Sequence, residues 1–201
     1  MKKLLLLLLI VPLTCFTQVP NEDGVLTHVV NVELSQDEIY AKVNEWLAET
    51  YNSLPDVLKL DSKSKVMVKG IMKFSFKKRN LNLTPSAKHT LSISIRDNKY
   101  KADLQLEDLE STGSVYKMYD YAGFGLGYTK MSKTEFKEHL INNIKNAGYT
   151  GKKLEKNIKK YVTDRIDDRW SDYETNFQRL QNKTVGMLKS LEKKVTETDD
   201  W

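Results

Sequence analysis

In three runs between Val66 and Leu106 apolar side chains return at every second position, and this period of two constrains the fold more than any other feature of the chain. Val66, Val68, Met72, Phe74 and Phe76 share one face of a strand, with Gly70 expected as a bend or bulge in it. Over 89–96 Leu91, Ile93 and Ile95 alternate with Thr90, Ser92, Ser94 and Arg96. Asp97-Asn98 then makes a short turn, and Tyr100, Ala102, Leu104 and Leu106 keep the phase on the return strand. Successive side chains of a strand point to opposite faces, so the pattern predicts an antiparallel sheet with one apolar face. Leu26 to Leu34 adds a half-buried strand, with Leu26, Val30, Val32 and Leu34 set against Thr27, Asn31 and Glu33, and Val57 to Leu60 adds a short one.

An apolar sheet face must be covered, and the flanking sequence supplies helices. Ser35-Gln-Asp-Glu38 has capping-box spacing, in which a hydroxyl and a carboxylate satisfy the free amides of a helix start. The helix predicted from it runs to about Tyr51 with Ile39, Val43, Trp46, Leu47, Thr50 and Tyr51 in one stripe, and Pro55 stops its continuation. Ser132-Lys-Thr-Glu135 repeats the spacing ahead of Phe136, Leu140, Ile141 and Ile144, a helix ending at Gly148. From Lys152 to Val195 there is no proline and one glycine. Leu154, Ile158, Val162, Ile166, Trp170, Tyr173, Phe177, Leu180, Thr184, Leu188, Leu191 and Val195 recur there in helical steps. At ~1.5 Å per residue one continuous helix would reach roughly 65 Å, far beyond strands of ~20 Å. Part of it must overhang, pair with another helix, or break.

The N-terminal MKKLLLLLLIVPLTCFTQ reads as an export signal: two lysines, then an apolar core from Leu4 to Leu13 that is too short for the ~20 residues of a membrane span. Cleavage after Thr17 leaves Gln18 at the mature N-terminus and a periplasmic or secreted protein. Acylation of Cys15 is the competing reading, with Pro12, Leu13 and Thr14 fitting a lipoprotein signal poorly; membrane contact is expected only through a lipidated Cys15. As Cys15 is the one cysteine, the exported domain has no disulfide and rests on its hydrophobic core. Removal of Lys2 and Lys3 lowers the net charge of +5 to +3, too little to call for a polyanionic partner.

The order strand, helix, four strands, C-terminal helix is that of one repeat of the TATA-binding-protein fold. Behind the leader, VVNVELSQDEIYAKVNEWLAETYNS, VMVKGIMKFSF and LSISIRDNKYKADL resemble the bacterial exported family called domain of unknown function 4468, over residues 24–109. The resemblance implies an α+β class: an antiparallel sheet with helices on one face, β-α-β-β-β-β-α, here with a long C-terminal helical extension. The expected division is a signal over 1–17, the TBP-like domain over 24–110, a glycine- and aromatic-rich loop over 111–131 and a helical region over 132–201. The family brings no assigned activity and no catalytic residues, and the export address sets nucleic acid aside as a partner.

Candidate sites are few. His28, His89 and His139 lie on separate predicted elements without metal-ligand spacing, which reads as independent strand or surface residues, with no metal or cofactor. Gly123, Gly125 and Gly127 match neither phosphate-cradling pattern. The aromatics among them, Tyr119, Tyr121, Phe124 and Tyr128, form the candidate binding surface for a glycan, lipid or peptide. Lys69, Lys73 and Lys77, with Arg96, Lys99 and Lys101, suggest a basic polar sheet face, solvated by default. Lys152, Lys153, Lys156, Lys159 and Lys160 crowd the start of the last helix, where cations oppose the helix dipole; a solvated face is the default there too, with anionic lipid or cell-wall polymer as the alternative. The expectation is an exported, noncatalytic interaction or structural module that self-associates or binds an envelope component through the C-terminal helix. A ligand-binding domain is the alternative, and a hydrolase a third.

Overall fold

Residues 15–16, 20–78, 81–83, 86–110 and 130–197 are described by the computed structural model. Residues 111–129, with Tyr119, Tyr121, Phe124 and Tyr128, lie outside the described residues, as does the leader except 15–16.

The alternating runs form β2 (Val25–Asn31), β3 (Leu58–Ser62), β4 (Lys65–Lys73), β7 (Ser86–Arg96) and β8 (Lys99–Glu110). With the two-residue β1 (Cys15–Phe16) they make one antiparallel sheet in the order β1-β2-β8-β7-β4-β3, while β5 (Phe76–Lys78) and β6 (Leu81–Leu83) pair as a separate ribbon. Five strands therefore make up the body of the sheet, and four of them, β2, β4, β7 and β8, carry its buried face. Asn98 turns the β7–β8 hairpin at a φ of 60°, a conformation its short polar side chain tolerates. The turn also ties down the chain entering the first helix, since Asn98 N–H donates to Leu34 O at 2.9 Å and Val32 N–H to Asn98 O at 3.0 Å.

One sheet face is closed. Leu26, His28 and Val30 of β2, Val66, Val68 and Met72 of β4, Ala87, His89, Leu91, Ile93 and Ile95 of β7, and Tyr100, Ala102, Leu104 and Leu106 of β8 are all buried on it. Two helices lie over this face. Helix α1 (Gln36–Thr50) has the predicted capping box, Ser35 with Glu38, and buries Ile39, Val43, Trp46 and Leu47. α1 ends at Thr50, ahead of Pro55, which stands at the second position of the four-residue α2 (Leu54–Val57), where its fixed φ suits a first turn.

The second capping box, Ser132 with Glu135, starts α3 (Lys133–Asn146), and Gly148 follows at a φ of 82°. The long apolar ladder does not form one helix. It breaks into α4 (Gly151–Tyr161), a 3-10 turn (Thr163–Arg165) and α5 (Ile166–Thr196). Neither glycine nor proline stands at the break; Val162 is buried there, and Arg165 N–H donates to Val162 O at 3.1 Å. α5 alone is about 46 Å long at ~1.5 Å per residue and packs on α1, on α3 and on the sheet. Leu188, Leu191 and Val195 are fully buried in the layer it shares with α1, where Trp46 Nε1–H donates to Ser190 Oγ at 3.0 Å. Toward its start Tyr173 stacks on Phe136 of α3 at 4.8 Å and accepts the Met131 N–H at 2.8 Å. Each fully buried leucine contributes roughly 1.5–3 kcal/mol, so docking on these neighbours, rather than the length of the helix, holds α5 in place.

Candidate functional site

Where the C-terminal end of α1 meets β4, β7 and α5, two adjoining clefts share Thr50, Tyr51, Ile71 and His89. One, of about 490 Å³, is walled by Met72 and Lys73 and by Asn182, Lys183, Gly186, Met187 and Ser190 of α5. The other, of about 550 Å³, is lined by Lys69, Gly70, Lys88 and Glu107 on the sheet and by Asn52, Ser53, Asp56 and Val57 beyond α1.

The pair between them is built by the backbone. Tyr51 is the C-cap of α1, and its N–H closes the last turn on Leu47 O at 2.9 Å. That brings its ring edge-on to Trp46 at 6.5 Å and stacked on His89 at 5.9 Å, with the Tyr51 hydroxyl 2.8 Å from His89 Nε2. Gly70 lies opposite His89 in the β4–β7 register. A Cβ on Gly70 would stand 2.7 Å from Tyr51 Cε1 and 2.8 Å from His89 Cε1, so only glycine admits the stack. The pairing of β4 with β7 runs unbroken through Gly70; the expected bend is a niche for two rings. The irregularity lies across β7, where Ala87 pairs with Leu109 but His89 with Leu106, which puts one extra residue on β8. Next to that bulge, Glu107 accepts from Thr90 at 2.9 Å and from Lys69 at 3.4 Å, and these contacts hold its carboxyl below the usual range.

Electrostatically the pair is neutral. Burial pulls the His89 imidazole down to about 4 and pushes the Tyr51 phenol well above its ordinary value. An imidazole that far below neutrality is a weak general base at pH 7. Ile71, by contrast, is 65% exposed, an apolar side chain standing on the polar face of β4 between Lys69 and Lys73.

A second buried imidazole lies elsewhere on the closed face. His28 Nε2 is 2.9 Å from Glu192 Oε2 of α5. Burial, the larger influence, lowers the His28 imidazole, and Glu192 opposes it. The neutral ring therefore donates its Nε2–H to the carboxylate, a hydrogen bond that fastens helix to sheet. Of the two readings offered for them, strand or surface residue, His28 and His89 take the first: they stand on β2 and β7 and are 1% and 2% exposed. His139, half-buried on α3, meets Asn143 Nδ2 at 3.0 Å. Among the described residues no group of three or more His, Cys, Asp or Glu could hold a metal ion.

The polar sheet face is less basic than its lysines implied, because Lys69 pairs with Glu107 and Lys101 with Asp103 at 2.6 Å. The candidate surface Tyr119, Tyr121, Phe124 and Tyr128 falls outside the described residues. Sequence reasoning missed the groove, although two signals were present: Ile71 is out of phase with the apolar positions of its strand, and Gly186 interrupts a helix that has no other glycine.

Sheet order, covering helices and the capped α1 define a single TATA-binding-protein-like α+β repeat with added C-terminal helices. Residues 27–110 match the family described as "Domain of unknown function (DUF4468) with TBP-like fold", so the resemblance carried by the strand and helix motifs holds over that span. Among solved structures the chain is similar to a DUF4468 family protein from Bacteroides ovatus ATCC 8483, at 15% identity and a TM-score of 0.42, covering 80% of this chain and 90% of that one. It is likewise similar to a TBP-like protein from Parabacteroides distasonis ATCC 8503, at 14% identity and a TM-score of 0.39, covering 80% and 99%. No curated protein matches.

Proposed function

We propose that the protein is an exported, noncatalytic binding module of the cell envelope that takes its partner in the groove astride Tyr51 and His89. The leader supports the export; the α5 wall of the groove supports the binding. Glycine inside a helix costs about 1 kcal/mol relative to alanine, yet Gly186 stands mid-helix with nothing within 4 Å of where a Cβ would be. No packing demand explains it, and the open space belongs to the groove. Across that space Ile71 offers an exposed apolar contact, and Lys73 and Lys183 offer cations. The apolar ladder proposed for self-association is covered within the chain from Tyr173 to Val195, which leaves the groove as the better contact surface.

A photo-crosslinking side chain at Ile71 or Lys183, introduced in the native organism, tests the reading. Discrete adducts should form there and not from the exposed Glu33 or Lys145, and Gly186→Trp should abolish them. Equal labelling from all four positions would remove the groove as the binding site.

A further inference from the structure

We propose that α4 is a contact for an anionic lipid surface, independent of the groove. Its sequence works against its own helix. Thr150 makes no side-chain cap bond, Gly151 enters at a φ of 54°, and the first turn carries no acidic residue. Lys152 and Lys153 stand there instead, where positive charge opposes the helix dipole, and Lys156 follows in the next turn. α1 and α3 of the same chain begin with capping boxes and first-turn carboxylates. α2 and α5 also lack a side-chain cap but keep Asp56, Asp167 and Asp168 in their first turns; α4 alone among the described α-helices opens on cations with no carboxylate, which points to a demand from outside the fold.

What the lysines face is solvent. No residue of α4 is buried; its five lysines, against the single Glu155, leave a net +4 over Gly151–Tyr161, and all five are exposed. Lys159 pairs with Asp164 at 2.8 Å. The helical period sets the lysines opposite Leu154 and Ile158, which are half-buried, and the helix as a whole contacts α3 and the 3-10 turn. The basic side is thus the outward one.

Charge alone would suit any polyanion; the aromatics select lipid. Tyr149 and Tyr161 flank the helix at 36% and 39% exposure, each with a lysine over its ring, Lys153 Nζ at 5.2 Å and Lys160 Nζ at 4.8 Å from the centroids. Tyrosine carries an apolar ring and a polar tip, which suits the headgroup level of a bilayer. By the helical period Tyr161 lies on the Leu154 and Ile158 side, so of the two rings it is Tyr149, with the Lys153 ammonium over it, that can seat on acidic headgroups together with the lysines.

Flotation with vesicles of pure phosphatidylcholine and of phosphatidylglycerol tests this, using the protein as isolated from cells. A retained leader carries Lys2 and Lys3 and would itself favour phosphatidylglycerol, so the readout is how far the preference changes between the unaltered chain and its α4 variants. Phosphatidylglycerol should be preferred by about tenfold or more at low salt, and the preference should fade as salt screens it. Lys152→Glu with Lys156→Glu should erase the preference while leaving the helical circular dichroism intact, because acidic residues suit that end of the helix. Tyr149→Ser should weaken vesicle binding but leave binding to soluble polyphosphate unchanged. Equal binding to both lipids, or a preference untouched by the lysine reversal, overturns the proposal. If Tyr149 matters no more on vesicles than on polyphosphate, the partner is a soluble or cell-wall polyanion instead.

Discussion

His28 and His89 stand on the same closed face of the same sheet, equally hidden from water, and differ in what meets them. His28 meets a carboxylate of α5, whereas His89 meets the phenol of Tyr51 beside an open groove. A carboxylate offsets part of the cost of charging a buried ring; a phenol offsets almost none. The first pair fastens α5 onto the sheet, and the second is kept neutral at the edge of a cavity. Location on a sheet face therefore fixes burial, while the neighbouring element decides whether a histidine serves as a strut or as part of a wall.

The widest contrast should appear in acid. Folded His89 titrates near 4 and its unfolded counterpart near ~6.5, so between those values the unfolded chain binds more protons. Stability contributed by the neutral ring is fully present above pH ~6.5 and falls as pH drops toward 4, by roughly 3 kcal/mol for this group. Urea titrations across that range should show the slope, and His89→Leu should remove this part of it. An imidazole resonance of His89 titrating near its ordinary 6.5 would end the contrast with His28. His28, also lowered by burial, changes stability with the same sign.

Smaller effects sharpen the same comparison. Gly70→Ala drives a methyl into both rings of the His89 site and should cost about 1–3 kcal/mol in denaturant unfolding; an unchanged midpoint would mean that the stack is not needed. Glu192→Ala leaves the His28 Nε2–H without its acceptor and should cost about 1–2 kcal/mol, with α5 opening earlier in hydrogen exchange. Tyr51→Phe removes one hydrogen bond and should cost about 1 kcal/mol. Gly186→Ala should stabilise by ~0.5–1 kcal/mol, since its Cβ meets nothing. A loss of stability there would contradict the open wall.

Much of the sheet was legible because period-two patterning responds to one physical fact, that one face is dry. Leu91, Ile93, Ile95, Tyr100, Ala102 and Leu104 are buried as their spacing predicted, and both capping boxes start the helices they announced. The groove was not legible. Gly70 could be read as a defect in a strand, and nothing in the spacing of Tyr51 and His89 showed that they would stack. His28 shares the phase of Leu26 and Val30 and is buried with them, although its polarity gives no sign of an enclosed position.

The break between α4 and α5 marks the boundary between what sequence and tertiary structure decide. Local sequence determined that the segment is helical, which faces are apolar, where α1 and α3 begin, and that the hairpin turns at Asn98, since caps, turns and periodicity act over a few neighbouring residues. Only the tertiary structure decided where the long ladder would break, with Val162 buried and no glycine or proline to announce it. It also decided which polar side chains would be enclosed with partners from residues far along the chain. Burial is a property of the assembled layers, and no window of sequence contains both sides of a contact such as His28 with Glu192.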